Sequence, residues 1–156
     1  MNKNKSILKS FKNAWCGLMS PFKYEKNLRF HFVIANLIVL FAYYFGISKT
    51  EWAVLIITIS MVIAAELINT AIENAVNTAT LEYSDFAKKA KDTAAGAVLF
   101  IAIVSVIVGI VLFLDGEKII NTLTYIISTP KAFIISLGLF IFDILFLIYG
   151  GRKKGN

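Results

Sequence analysis

A single cysteine, Cys16, excludes an internal disulfide, and its place on a basic amphipathic segment predicts a buried interfacial side chain without chemistry of its own. The one histidine, His31, has no second histidine or cysteine near it in the chain; interfacial packing is its expected role rather than metal ligation. Only two prolines occur, Pro21 and Pro130, and each bounds a helical pattern. No GxxxxGK[ST] or GxGxxG loop is present, so no local motif marks a nucleotide site. Internal repeats, low-complexity runs and a soluble domain are missing as well. What remains is apolar. Hydrophobic residues make up 58% of the 156, with a mean hydropathy of +0.72, too apolar to cover the surface of a soluble domain this small. The expected fold class is all-α, a polytopic membrane helical bundle.

Four apolar stretches are long enough to span, at about 28–46, 51–77, 93–114 and 131–149. No long apolar run precedes Phe30, so no cleavable signal peptide is expected. Before the first span, Ile7, Leu8, Phe11, Ala14, Trp15 and Leu18 recur on one helical face, with Lys5, Lys9 and Lys12 elsewhere. This pattern predicts a membrane-surface helix over 6–20, ended by Pro21. A second amphipathic segment, 118–128, carries Ile119, Ile120, Leu123, Ile126 and Ile127 between Gly116 and Pro130 and is expected on the outer surface.

The formal charge of +6 sets the topology. Lys3, Lys5, Lys9, Lys12, Lys23, Lys26 and Arg29 precede the first span, and Lys88, Lys89 and Lys91 follow the second, which puts both regions in the cytoplasm. Arg152, Lys153 and Lys154 close the chain on the same side, as an even number of crossings requires. The segment 78–92 reads as a polar cytoplasmic connection. The small residues that follow, from Thr93 to Ala97, predict a close helix–helix interface.

Against this apolar background the segment ELINTAIENAVN, beginning at Glu66, places Glu66, Asn69, Glu73 and Asn77 on one side of a helix, with Thr70 beside them. At 1.5 Å per residue from Trp52, Glu66 lies roughly 21 Å into a core about 30 Å thick, and Glu73 roughly 31 Å in. Glu73 therefore reaches cytoplasmic water. Glu66 stays in the inner leaflet, at the depth of a lipid hydroxyl, where a carboxylate is suited to take a proton from an alcohol. The two acids are about 10 Å apart along the axis, too far to share one metal ion. Glu25, at the mouth of the first span, is an available second ligand. Oxygen-only donors at a cytoplasmic interface favour Mg²⁺, which usually arrives with nucleotide phosphates. Lys91 and Asp92 lie on the same side and are candidates for phosphate contact. Asp143, near the middle of the fourth span, is the remaining intramembrane acid; it either pairs with a polar group on another helix or is merely tolerated. From the residues alone, lipid phosphoryl transfer stands beside two readings of another class, a non-enzymatic membrane scaffold and a proton-coupled carrier using Glu66 and Asp143. No nucleic-acid partner is expected.

The blocks EKNLRFH from Glu25, AELINTAIE from Ala65, Glu82-Tyr83, and AKKAKDTAAGAV from Ala87 occur in an order that resembles the prokaryotic diacylglycerol kinase and undecaprenol kinase family. The resemblance covers about residues 6 to 114. It implies a small homotrimeric membrane enzyme with a surface helix and three spans, moving phosphate from MgATP to a lipid hydroxyl, with active sites between subunits. Residues 1–114 then form the kinase core, and 115–156 a C-terminal extension bearing the amphipathic segment and the fourth span. The resemblance makes Glu66 the catalytic base with Asn69 beside the reacting groups, and Glu25 and Glu73 the Mg²⁺ ligands. It places Asn77, Glu82, Tyr83, Lys91 and Asp92 at nucleotide-binding positions, and Trp15 and Gly17 with Glu66 at the lipid. Three positions depart from the pattern: Asn77 stands where aspartate is usual, Asn13 where tyrosine is common before Trp-x-Gly, and Ser84 where histidine commonly follows Glu-Tyr. The form of the ELINTAIE and AKKAKDTAAGAV blocks is closest to the undecaprenol kinase branch, which makes undecaprenol the expected lipid and diacylglycerol the alternative.

Overall fold

The computed structural model describes residues 3–79 and 84–151, with side chains from residue 7 onward. Six helices follow one another: α1 (Lys3–Met19), α2 (Lys26–Phe45), α3 (Lys49–Ala79), α4 (Asp85–Phe113), α5 (Gly116–Ser128) and α6 (Pro130–Tyr149), with a 3-10 turn at Pro21–Lys23. No strand occurs among the described residues. Four of the helices, α2, α3, α4 and α6, are long and apolar enough to cross a membrane. Their outer faces bear many exposed large hydrophobics, such as Phe100, Val111, Phe142 and Ile148. Such surfaces belong in acyl chains, where helices satisfy every backbone polar group internally.

Local chemistry sets the boundaries. Gly46 ends α2 in the left-handed region at φ +68°, where glycine pays no Cβ penalty. Two residues later Ser48 and Glu51 form a reciprocal capping box: the Ser48 amide donates to Glu51 Oε2 at 2.6 Å, and the Glu51 amide to Ser48 Oγ at 3.3 Å. The turn is therefore tight. Ala42, Phe45, Ile47 and Leu55 form a buried cluster beneath it, flanked by Phe41, Trp52 and Phe113. Asp115 caps α5 by accepting from the Lys118 amide at 2.9 Å, and Pro130 opens α6.

Helix α3, at 31 residues, is about 46 Å long, well beyond the hydrocarbon thickness, and α4 at 29 residues is nearly its match. Among the described residues the two make the most extensive helix–helix contact. One expectation is corrected here. The polar segment 78–92 is not wholly a connection: α4 starts at Asp85, so Lys88, Lys89, Lys91 and Asp92 ride on the first turns of a helix. Hydropathy missed those turns because they are polar, not because they are unwound. Within the small-residue block Ala94 is buried, and Ala94 and Ala97 both line a space shared with α3.

Helix α1 packs on the Pro21–Lys23 turn and leaves Ile7, Leu8, Phe11 and Trp15 exposed on one face. An apolar stripe of this kind, backed by lysines, suits a helix lying in the headgroup plane. Cys16, expected to be buried, is exposed on it. Helix α6 lies along α2. Asn36 Nδ2 donates to Asp143 Oδ1 at 2.9 Å, and Phe32 meets Phe146 edge-on at 5.9 Å between centroids. At the end of α6 the backbone of Gly151 passes so close to Arg29 that a Cβ there would stand 2.6 Å from a guanidinium nitrogen.

Candidate active site

The polar stripe of α3 turns inward. Glu66, Asn69 and Thr70 are buried, Glu73 one turn on is half-buried, and Asn77 is exposed, so the stripe runs from the bundle interior to its polar end. Glu66 retains 3% of its surface. His31 of α2 stands opposite, with Nε2 3.8 Å from Glu66 Oε1, within ion-pair reach. Glu73, Glu25 and Asn69 are also near enough to act on Glu66 electrostatically. Asn69 Nδ2 donates to Glu73 Oε1 at 3.0 Å, and the buried Oδ1 of the same amide has no hydrogen-bond partner. An acceptor held one turn from Glu66 with its lone pairs unused is open to a donor from a bound molecule.

Toward the polar end, Lys91 Nζ reaches from α4 to Asn77 Oδ1 at 2.6 Å. This bond ties the polar turns of α3 and α4 together and holds the Lys91 ammonium on the exposed Asn77, one helical turn beyond Glu73. Glu25 sits at the N-cap of α2, half-buried, its amide donating to the Pro21 carbonyl at 2.7 Å. Asp92 is exposed on α4, and Trp15 and Gly17 are exposed on α1. Glu82 and Tyr83 lie outside the described residues. Among the described residues no group of three or more His, Cys, Asp or Glu side chains forms a metal cage. A Mg²⁺ ion, which commonly takes one or two carboxylates and completes its shell with water and substrate phosphate, needs no such cage. Glu73 and Glu25, both close enough to Glu66 to act on its charge, offer oxygen donors of the kind it takes.

From His31 outward, a cavity of about 80 Å³ runs between α2, α3 and α4, lined by Ile34, Ala35, Ile38, Val62 and Gly109 among others. Its walls suit hydrocarbon. His31 is the polar end of this lining, and it stands between the apolar space and the buried Glu66 carboxylate.

Residues 12–113 match the prokaryotic diacylglycerol kinase family. The chain belongs to that family. It is a lipid kinase, and the scaffold and carrier readings fall away. Among its relatives, an undecaprenol kinase of Bacillus subtilis is 35% identical over 113 residues, covering 72% of this chain and 92% of the relative. A diacylglycerol kinase of Synechocystis is 40% identical over 105 residues, 67% of this chain and 60% of the relative. A diacylglycerol kinase of Escherichia coli is 32% identical over 101 residues, 65% of this chain and 83% of the relative. No solved structure matches. The family match ends with α4, so α5 and α6 lie beyond it.

Sequence reasoning did not anticipate one neighbour of Glu66. His31, assigned to interfacial packing, faces the buried acid. Its partner is on another helix 35 positions away in the chain, so no spacing rule links them; the available signal was a lone imidazole inside a span facing a lone carboxylate inside the next.

Proposed function

We propose that this kinase phosphorylates the hydroxyl of undecaprenol, using ATP. The observation that carries the reading is Glu66, almost fully buried on the polar stripe and 3.8 Å from His31, which closes one end of an apolar cavity. A lipid alcohol entering from the membrane presents its oxygen there. As that oxygen bonds to the γ-phosphorus, its proton passes to the Glu66 carboxylate, the bond from phosphorus to the bridging oxygen breaks, and ADP leaves with that oxygen. His31 orients the acid, and the free face of Asn69 hydrogen-bonds the reacting groups.

Glu25 and Glu73 would hold Mg²⁺, which when bound neutralises charge on the phosphates. Lys91 serves the same phosphates, with Asn77 fixing its ammonium, and Asp92, Glu82 and Tyr83 belong to the nucleotide side. Trp15 and Gly17 of the surface helix border the path of the lipid. Residues 1–114 are the kinase core, 115–156 an extension, and both termini are cytoplasmic. The working form is a homotrimer in which neighbouring protomers complete each site. Replacing Lys91 by Met removes a charge-assisted contact worth about 1.5 kcal/mol, so KM for ATP should rise roughly tenfold while the lipid dependence holds. An unchanged KM for ATP would remove Lys91 from the nucleotide site.

Undecaprenol is preferred because the undecaprenol kinase relative matches over nearly its whole length. Diacylglycerol is the second reading, favoured by the higher identity of the Synechocystis relative. Purified protein given each lipid with γ-labelled ATP separates them. Faster labelling of undecaprenol is expected, and a comparable or faster rate on diacylglycerol would defeat the preference.

A further inference from the structure

Helices α5 and α6 lie outside the matched family region, yet together they grip α2 from end to end. At one end α5 delivers Lys118, whose ammonium sits 4.3 Å above the Phe45 ring and 3.4 Å from the Gly46 carbonyl, and Tyr125, whose ring lies 6.0 Å from that of Tyr44. At the other end Gly151 lies against Arg29, and Phe146 against Phe32. Midway, Asp143 is completely buried and accepts from Asn36. It is the one directional polar bond among these mid-span contacts, placed where no water competes for it.

Asn36 follows His31 by five residues, which rotates it about 140° around α2. The helix therefore shows His31 to Glu66 and shows Asn36 to α6, on nearly opposite sides. Apolar ridges alone let a helix turn or slide by small amounts at little cost, because Leu, Ile and Phe present similar surfaces in several registers. A buried hydrogen bond does not, since breaking it strands a carboxylate and an amide in hydrocarbon.

We infer that Asp143 is a positioning residue for the kinase site: through Asn36 it fixes the rotation of α2, and with it the placement of His31 against Glu66 and of Glu25 at the cytoplasmic mouth. The fourth span is thus a built-in brace that locks the site-bearing helix from behind. The inference rests on the reading of Glu66 as the proton acceptor for its effect on turnover, but not for its effect on geometry.

His31 is the only histidine in the chain, so its imidazole NMR signals need no assignment. Full-length protein in micelles is compared as wild type, Asp143→Leu, Asp143→Asn and the exchanged pair Asn36→Asp with Asp143→Asn; Glu66→Gln calibrates the shift expected when the Glu66 carboxylate is lost. In Asp143→Leu the imidazole signals should move toward their Glu66→Gln positions, and kcat should fall about tenfold or more with KM for ATP held, the cost of a misplacement near 1 Å. Asp143→Asn and the exchanged pair keep an amide–carbonyl bond and should keep both readouts near wild type. Should Asp143→Leu fail to assemble, Asn36→Ala removes the donor with less change in shape and carries the same two readouts. Unmoved imidazole signals and full kcat in the leucine or alanine variant would overturn the inference, as would an Asp143→Asn protein as impaired as Asp143→Leu. Retained turnover in Glu66→Gln would overturn the role of Glu66 alone, because the imidazole signal is read without any phosphoryl transfer.

Discussion

Replacing Glu66 by Gln should lower lipid phosphorylation by roughly 10²- to 10⁴-fold, the range lost when a positioned proton acceptor is removed. The substitution is nearly isosteric, and the new amide still offers an oxygen to His31 at the place where Glu66 Oε1 stands now, 3.8 Å from Nε2. Packing of α2 on α3 is therefore preserved, as is the tie between Asn77 and Lys91 at the polar end. ATP binding, read by a fluorescent analogue or by KM, should change less than about threefold, which separates lost chemistry from lost binding. Turnover within a few-fold of wild type would exclude Glu66 as the base.

Glu73→Gln should behave differently, and the contrast between the two variants is informative. Glu73 lies about one helical turn beyond Asn69, which donates to its Oε1, and its carboxylate is half-exposed toward the charged end. Removing one anionic donor from a site that has few should weaken Mg²⁺ by roughly 10- to 100-fold. At low Mg²⁺ turnover should collapse, and raising Mg²⁺ should recover a large part of it. The Glu66→Gln protein should show no such recovery, since proton acceptance is not supplied by the cation. Equal Mg²⁺ dependence in wild type and Glu73→Gln, read from initial rates across a magnesium series, would take Glu73 out of the metal site. Chelation of Mg²⁺ in the wild type should abolish turnover reversibly.

The stripe on α3 was legible because helical geometry is local: spacings of three, four and seven residues fix which of Glu66, Asn69, Glu73 and Asn77 share a side before any tertiary contact forms. The spans were legible for a similar reason, since hydrocarbon thickness dictates helix length. Contacts between helices were not. His31 meets Glu66, and Asn36 meets Asp143 across 107 positions, only because particular rotations and depths are chosen when helices pack. Nothing in the one-dimensional pattern sets those rotations. The start of α4 at Asp85 was hidden because hydropathy reports membrane entry, and a helix that projects into water continues past that point. Asp143 could have been paired from the sequence by treating it and Asn36 as polar residues set within apolar spans and requiring each to find a partner.

The central claim is that the reacting lipid hydroxyl reaches Glu66 past His31, which lines the cavity between α2, α3 and α4. A polyprenol carrying a photoactivatable diazirine beside its hydroxyl tests this directly, with the cross-linked peptides identified by mass spectrometry. Label is expected on α3 around Val62 to Thr70 and on α2 near His31, and unlabelled undecaprenol should compete it away. Label confined to the outer faces of α4 and α6, with none on α3 near Glu66, would contradict the account.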